Sequence, residues 1–526
     1  MEINHINQLE KAAKKSSGEF FRLGIALLYI IGVLLYAMTS GVSQGSLYVV
    51  VAAMIGGYMA MNIGANDVAN NVGPAVGAKA MSLGGALVIA AVFEATGAVI
   101  AGGEVTGTIR SGIIDPAYIE EPLVFVWVMM AALLAAAVWV NIATIIGAPV
   151  STTHSVVGAV LGAGIASSGF GIANWGVIGH IVVSWLVSPL MGGLIAAGFL
   201  YLIKRCITYK PDLLAAARTV VPYLIGAMAF AFGSYLLLKG LARVMSVSLT
   251  GALTVGAMLA VVVYFLSRMR VRVRSEEIEN SKQGVNQLFT VPLICAAALL
   301  SFAHGSNDVA NAIGPLAGIV EAFSSGPIEI SSSAPVPLWV IVVGGLGLSV
   351  GLILFGPKLI RTIGTEITEL DQMRAYCIAM AAAITVILAS QFGIPVSTTH
   401  VAVGGVFGVG FLREYLKSNY ARMIDEIRMH HPEGDQAAID AFLRRFDAAT
   451  VEEKGEMLRE LKRKQKKHLD PALLSKTERK GLRKVYRKEI VKRSQIIRIV
   501  AAWIVTVPVS ALIGAMLYFM IRGMLV

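Results

Sequence analysis

Two polar motifs, each present twice, constrain this chain more than any other feature. The first pair is Gly64-Ala65-Asn66-Asp67-Val68-Ala69-Asn70-Asn71-Val72-Gly73-Pro74 and Gly305-Ser306-Asn307-Asp308-Val309-Ala310-Asn311-Ala312-Ile313-Gly314-Pro315. The second is Pro149-Val150-Ser151-Thr152-Thr153-His154 and Pro395-Val396-Ser397-Thr398-Thr399-His400. Asn66 and Asn307 are 241 residues apart, and Ser151 and Ser397 are 246 apart. Two motifs repeated at nearly equal separation define a duplicated unit. All four copies lie in apolar sequence, where a cluster of amides and carboxylates is costly unless it binds something.

The surroundings of the motifs set the fold class. Hydrophobic residues make up 56% of the 526 and charged residues only 15%, against about 25% charged in soluble domains. Long apolar runs with few charges indicate an all-α polytopic membrane protein. A membrane β-barrel would alternate apolar and polar residues over segments of about ten, and this chain does not. The three cysteines, Cys206, Cys295 and Cys377, have neither a disulfide nor a metal spacing. The net charge is +11, and residues 412–495 hold 22 basic against 14 acidic residues, a net +8. In a membrane protein such an excess marks the cytoplasmic side rather than a nucleic-acid partner.

Read in order, the chain divides as follows. Residues 1–45 are a polar leader and a first, uncleaved transmembrane helix. Residues 46–203 form a first transmembrane repeat. Residues 204–284 hold basic loops and two connecting transmembrane helices. Residues 285–412 form the second repeat, residues 413–495 a basic helical insert, and residues 496–526 the last transmembrane helix. The apolar run from 46 to 77 is longer than a span of about 20 residues needs, and Gly64 and Gly73-Pro74 are where it is expected to break. The match between repeats extends to Gly97, Gly102 and Thr108-Ile109 against Gly351, Gly356 and Thr362-Ile363. The insert carries capping boxes at Thr450/Glu453 and Ser475/Glu478.

With the N-terminus inside, the basic loops at 204–219, 267–284, 357–372 and 413–495 all fall inside, as the positive-inside bias requires. Six spans then lie between the two Asn-Asp segments, so the second runs opposite to the first. The expected architecture is two inverted-topology repeats with broken helices and re-entrant-like hairpins, about twelve membrane segments in all. Inverted repeats of this kind carry secondary transporters, with the site near the midplane.

Each Ser-Thr-Thr-His follows a proline and precedes an apolar stretch, the form of a helix N-terminus, with Ser151 or Thr152 and Ser397 or Thr398 as cap. The unsatisfied N–H groups and the positive dipole end there favour an anion, and the hydroxyls add donors. Asn66, Asp67 and Asn70, with Asn307, Asp308 and Asn311, offer carboxylate and amide oxygens suited to a hard cation. A carboxylate can also accept a hydrogen bond from a protonated oxyanion. No lysine or arginine lies within any of the motifs, so a bound anion needs helix ends and a co-bound cation to balance it. Glu94 is a third intramembrane acid and a candidate for gating or coupling. Its spacing counterpart is Leu348, and Asn71 stands opposite Ala312, so the repeats are not equivalent there. His154 and His400 follow the caps and read as contacts between helices.

These four segments resemble the inorganic phosphate transporter (PiT) family over roughly 46–203 and 285–412 plus the closing helix. The resemblance implies a symporter coupled to Na⁺ or H⁺ that imports inorganic phosphate by alternating access, with no other cofactor. It implies phosphate contacts from Asp67, Ser151, Thr152, Thr153, Asp308, Ser397, Thr398 and Thr399. It implies cation contacts from Asn66, Asp67, Asn70, Asn307, Asp308 and Asn311. The protein would sit as a multi-pass chain in the cell membrane, its N-terminus and 413–495 cytoplasmic, in contact with lipid and open to homodimerisation. Sulfate or another tetrahedral oxyanion is the alternative cargo, although sulfate has no proton to donate to Asp67 or Asp308 at neutral pH. A hydrolase built on Ser151, His154 and Asp67 is disfavoured, because no G-x-S-x-G elbow surrounds either serine. Whether Na⁺, H⁺ or a metal–phosphate complex is coupled does not follow from the residues.

Overall fold

The structure is a computed structural model that describes residues 2–39, 47–103, 105–119, 121–240, 247–325, 334–366, 370–429, 441, 444–445, 457 and 493–525. Most of the basic insert, including both capping boxes, lies outside the described residues. Among those residues the chain is almost wholly helical: α1 (Glu2–Thr39), α2 (Leu47–Gly77), α3 (Leu83–Ala101), α4 (Pro122–Ile146), α5 (Thr152–Ser168), α6 (Trp175–Ile203), α7 (Leu213–Tyr235), α8 (Leu249–Glu276), α9 (Lys282–Leu288), α10 (Thr290–Asp308), α11 (Ala310–Ser325), α12 (Leu338–Glu366), α13 (Gln372–Gln391), α14 (Thr398–Met429) and α15 (Arg493–Leu525). Eleven helical segments are long and apolar enough to cross a membrane, where about twelve were expected from the apolar runs. The segments starting at the two Ser-Thr-Thr-His motifs are not among them.

Both of these segments turn back on the helix before them. α4 starts with Pro122 in its first turn and ends at Gly147, which has φ +77°. α13 likewise gives way to Gly393 at φ +65°. A left-handed glycine ends a helix, and a proline two residues on prevents its resumption; Pro149 and Pro395 occupy those places. Ser151 then caps α5, accepting from His154 N at 3.1 Å, and Ser397 accepts from His400 N at 3.3 Å. So each hairpin tip is written locally as glycine, proline, serine cap.

The hairpin ends fix the sides. Ile114 bridges Ala173, and Asp115 N donates to Ile172 O at 2.8 Å. The end of α5 therefore returns to the loop that precedes α4. At the other face, Lys204 at the end of α6 lies within electrostatic reach of Lys282, Arg374, Arg413 and Asp371. The start of α13 and the exit of α14 thus share one face with the basic loops. One hairpin dips in from each side.

The break expected at Gly64 and Gly73-Pro74 does not occur: α2 runs unbroken for 31 residues, with Pro74 inside it. Helix interiors tolerate a proline where the freed carbonyl finds other partners. The interruption falls in the second copy instead, between Asp308 and Ala310.

Helices touch through glycine, and the contacts are paired. Gly64 meets the backbone of Leu348 and Gly351 that of Met61, which packs α2 on α12. Gly305 meets Glu94 and Gly97 meets Phe302, which packs α10 on α3 in the same way. Gly158 and Gly162 of α5 meet Val507 and Ala511 of α15, while Gly404 and Gly408 of α14 meet Pro189 and Gly193 of α6. Small residues allow such backbone approach in a membrane, where packing rather than the hydrophobic effect joins helices. The correspondence makes α15 the counterpart of α6.

Candidate functional site

The hairpin tips meet the middle of α2 and the α10–α11 junction in the centre of the bundle. Asn66 Nδ2 donates to Thr144 Oγ1 at 2.9 Å and to Ala148 O at 3.5 Å. Asn307 Nδ2 donates to Ser390 Oγ at 2.8 Å and to Ile394 O at 3.4 Å. These are the same two bonds, made once in each repeat. Each ties an Asn-Asp motif to the tip of its own hairpin. Thr152 Oγ1 then donates to Asp67 Oδ2 at 2.9 Å, and Thr398 Oγ1 to Asp308 Oδ2 at 2.8 Å.

Other bonds cross between repeats. Thr399 Oγ1 donates to Asp67 Oδ1 at 2.9 Å, and Asn70 Nδ2 donates to Thr399 Oγ1 at 2.8 Å. Asn311 Nδ2 donates to Thr153 Oγ1 at 3.1 Å and to Thr152 Oγ1 at 3.4 Å. All twelve motif residues named from the sequence come together, none more than 2% exposed. The cap is Ser151 and Ser397 rather than the following threonines. Each serine oxygen accepts a backbone N–H, which leaves its hydroxyl hydrogen for a ligand.

The carboxylates differ in their surroundings. Asp67 is bonded at both oxygens, by Thr152 on one and Thr399 on the other, with Asn70 Nδ2 at 3.5 Å. Asp308 accepts from Thr398 at Oδ2, with His304 Nε2 in ion-pair range of the same oxygen at 3.1 Å, and its Oδ1 has no hydrogen-bond partner. Asn66 Oδ1 also lacks one. Buried, unpartnered oxygens beside carboxylates are the donor set a hard cation takes.

Glu94 lies against this centre on α3, fully buried, and accepts from Asn71 Nδ2 at 2.8 Å. His154 and His400 pack edge to face at 4.4 Å between ring centroids, each against a tryptophan: Trp185 at 3.7 Å and Trp503 at 3.6 Å. They join helices through ring packing. Sequence reasoning missed His304, Thr144 and Ser390. His304 was findable: it is a histidine one turn before Asp308 in an apolar helix. Thr144 and Ser390 gave no signal, since a lone hydroxyl in a membrane helix ordinarily bonds its own backbone. Thr144 does that too, donating to Val140 O at 2.8 Å while it accepts from Asn66.

Comparison with known proteins follows the same lines. Residues 63–514 match a model described as the phosphate transporter family. A candidate phosphate permease of Helicobacter pylori is 53% identical over 524 residues, covering 98% of each chain. Candidate phosphate permeases of Chlamydia trachomatis and Pyrococcus horikoshii are 41% and 38% identical, covering 72% and 70% of this chain and 92% and 89% of theirs. A solved structure of a sodium-dependent phosphate transporter superposes with a TM-score of 0.74 at 30% identity, over 91% of this chain and all of that one.

Proposed function

The chain belongs to the phosphate transporter family, and from that premise we propose that it is a symporter which couples inward movement of inorganic phosphate to Na⁺. The observation that carries this reading is the pair of cross-repeat contacts, Thr399 to Asp67 and Asn311 to Thr153. They bring two half-sites into one pocket. The likeness to a sodium-dependent phosphate transporter supports Na⁺ as the coupled ion.

In this reading the N-terminal ends of α5 and α14 supply positive dipole ends, and Ser151, Thr152, Thr153, Ser397, Thr398 and Thr399 supply hydroxyls to the phosphate oxygens. Asp67 or Asp308 accepts the hydrogen bond of a protonated phosphate oxygen. That requirement separates phosphate from sulfate, which would leave a carboxylate facing an unprotonated oxygen. Among the described residues, the hydrogen bonds into Asp67 and Asp308 come from hydroxyls and an amide, and the one basic side chain in ion-pair range of either is His304. No lysine or arginine neutralises the pocket, so the cation does. Asn66 and Asp67 in one half, and Asn307 and Asp308 in the other, are its ligands, with Asn70 and Asn311 behind them. An inside-negative potential opposes anion entry by about 2.3 kcal/mol per charge per 100 mV. Two Na⁺ carried with one monoanion would reverse that sign.

Alternating access follows from the inverted repeats, whose hairpins enter from opposite faces. We place the N-terminus and the basic loops in the cytoplasm and the protein in the cell membrane, with a homodimer as its assembly. The test is uptake of labelled phosphate by purified protein in liposomes, with Na⁺ present or replaced by choline, across pH. Accumulation above equilibrium with Na⁺ alone is expected. Gradient-driven uptake in choline at acid pH would make H⁺ the coupled ion, and no gradient-dependent uptake at all would end the reading.

A further inference from the structure

The pocket follows a two-fold plan, and three buried side chains beside it break that plan. The glycine contacts that relate α2–α12 to α10–α3 fix the correspondence without reference to those side chains. By it, Asn71, Glu94 and His304 have Ala312, Leu348 and Ile63 as their mates. Alanine, leucine and isoleucine fill those places in one half, so packing alone does not call for polar groups in the other.

The three polar residues form a single chain of contacts. Asn71 Nδ2 donates to Glu94 Oε1 at 2.8 Å. The same Oε1 lies 3.3 Å from His304 Nδ1. His304 Nε2 lies 3.1 Å from Asp308 Oδ2 and 3.7 Å from Asp67 Oδ2. None of the five is more than 1% exposed. The imidazole thus lies within ion-pair reach of a carboxylate oxygen at each nitrogen in a dry site, and neither nitrogen has a hydrogen-bond partner to hold it elsewhere. The ring lies beside the same oxygen of Asp308 that Thr398 engages. Asp308 is bonded only at Oδ2, whereas Asp67, further from the imidazole, is bonded at both oxygens.

We propose that Asn71, Glu94 and His304 are positioning residues that make the two cation positions of the pocket inequivalent. His304 holds Asp308 through Oδ2 and leaves Oδ1 to the cation, and Glu94 with Asn71 holds the imidazole in place. The proposal rests on the cation-coupled reading above and specifies which half of the pocket sets Na⁺ affinity.

The full-length protein in liposomes tests it through the Na⁺ activation curve of phosphate uptake. Glu94→Gln and His304→Leu are each expected to raise the half-saturating Na⁺ concentration about tenfold or more, the worth of a bond to a charged group. The phosphate KM at saturating Na⁺ should stay within about twofold, since a positioning role separates the two parameters. The double variant should be no worse than His304→Leu alone, because links in one chain are not additive. His304→Gln should recover part of the loss, as its amide can donate to Asp308. Lower maximal uptake with an unchanged Na⁺ curve would reduce the three residues to packing and overturn the proposal. So would a triple variant, Asn71→Ala with Glu94→Leu and His304→Ile, that keeps wild-type Na⁺ dependence. If the triple variant does not fold, the Na⁺-induced rise in Tm of purified Glu94→Gln reads the same point. A weakened rise supports the proposal, and a wild-type rise overturns it. Wild-type protein that takes up no phosphate with Na⁺ would defeat the transport reading instead, and the Tm measurement would still decide this one.

Discussion

In the first half of the pocket Asn66 is tied to Thr144 and Asp67 to Thr152; in the second, Asn307 is tied to Ser390 and Asp308 to Thr398. Both hairpins turn on a left-handed glycine and restart on a capping serine. Beyond that skeleton the halves part. Thr399 of the second hairpin donates to Asp67, but its mate Thr153 donates to the backbone oxygen of Val396 at 3.1 Å. Asp67 is held from both repeats, and Asp308 is held by its own hairpin and faces His304. Backbone packing thus preserves the two-fold plan while side-chain hydrogen bonds depart from it. A cluster made from two copies thus offers an asymmetric set of side chains, which is what the proposed pairing of one anion with its cations needs.

The comparison can be broken outright at the carboxylates. Asp67→Ala strands the donors of Thr152, Thr399 and Asn70, and Asp308→Ala that of Thr398 while removing the carboxylate beside His304, a loss of about 3–5 kcal/mol for a buried charge partner. Na⁺-driven phosphate uptake should fall more than about 100-fold in both. Uptake that survives either change would mean that half of the pocket is not used.

The shared skeleton should respond equally in both halves. A Cβ at Gly64 would enter the backbone of Leu348, and one at Gly305 the backbone of Glu94. Gly64→Ala and Gly305→Ala should each destabilise by about 1–3 kcal/mol, as overpacking does, with matching drops in Tm of the detergent-solubilised protein. Unequal drops would show that the packing symmetry is not energetic. Gly84→Ala, with open space around its Cβ, is the control.

The threonines sharpen the difference. Thr399→Val removes a bond to a carboxylate and should cost about 1.5–3 kcal/mol, whereas Thr153→Val removes one to a neutral carbonyl, about 1 kcal/mol. Phosphate KM should rise more for Thr399→Val, and equal rises would erase the distinction between the two crossings. The smallest effect is expected at the caps. Ser151→Ala and Ser397→Ala should each cost about 1 kcal/mol of stability, read as a drop in Tm, together with weaker phosphate binding from the lost hydroxyl. A lower Tm at unchanged phosphate affinity would confine each serine to capping.

Much of this site was legible in the sequence because its parts are local. Gly147, Pro149 and Ser151 dictate a hairpin tip by backbone rules alone, and an Asx cluster in apolar surroundings announces a polar purpose. The motif copies pair as their spacing indicates, including Glu94 with Leu348. What was not legible depends on distance. Nothing near Thr399 in the chain says that it donates to Asp67, 332 positions away. Nothing near Gly64 says that the backbone of Leu348 closes on it, 284 positions away. His304 lies between these cases: visible as a histidine, but without meaning until α3 brings Glu94 to its other nitrogen.

The pairing of α5 with α15 bears on how the protein is made. Gly158 and Gly162 lie against Val507 and Ala511, so the first hairpin is flanked by a helix 349 residues further along the chain. During insertion it must wait until those residues have been made before its neighbour arrives. A chain cut short after α14 would therefore expose damage in the earlier hairpin as well as at its own end.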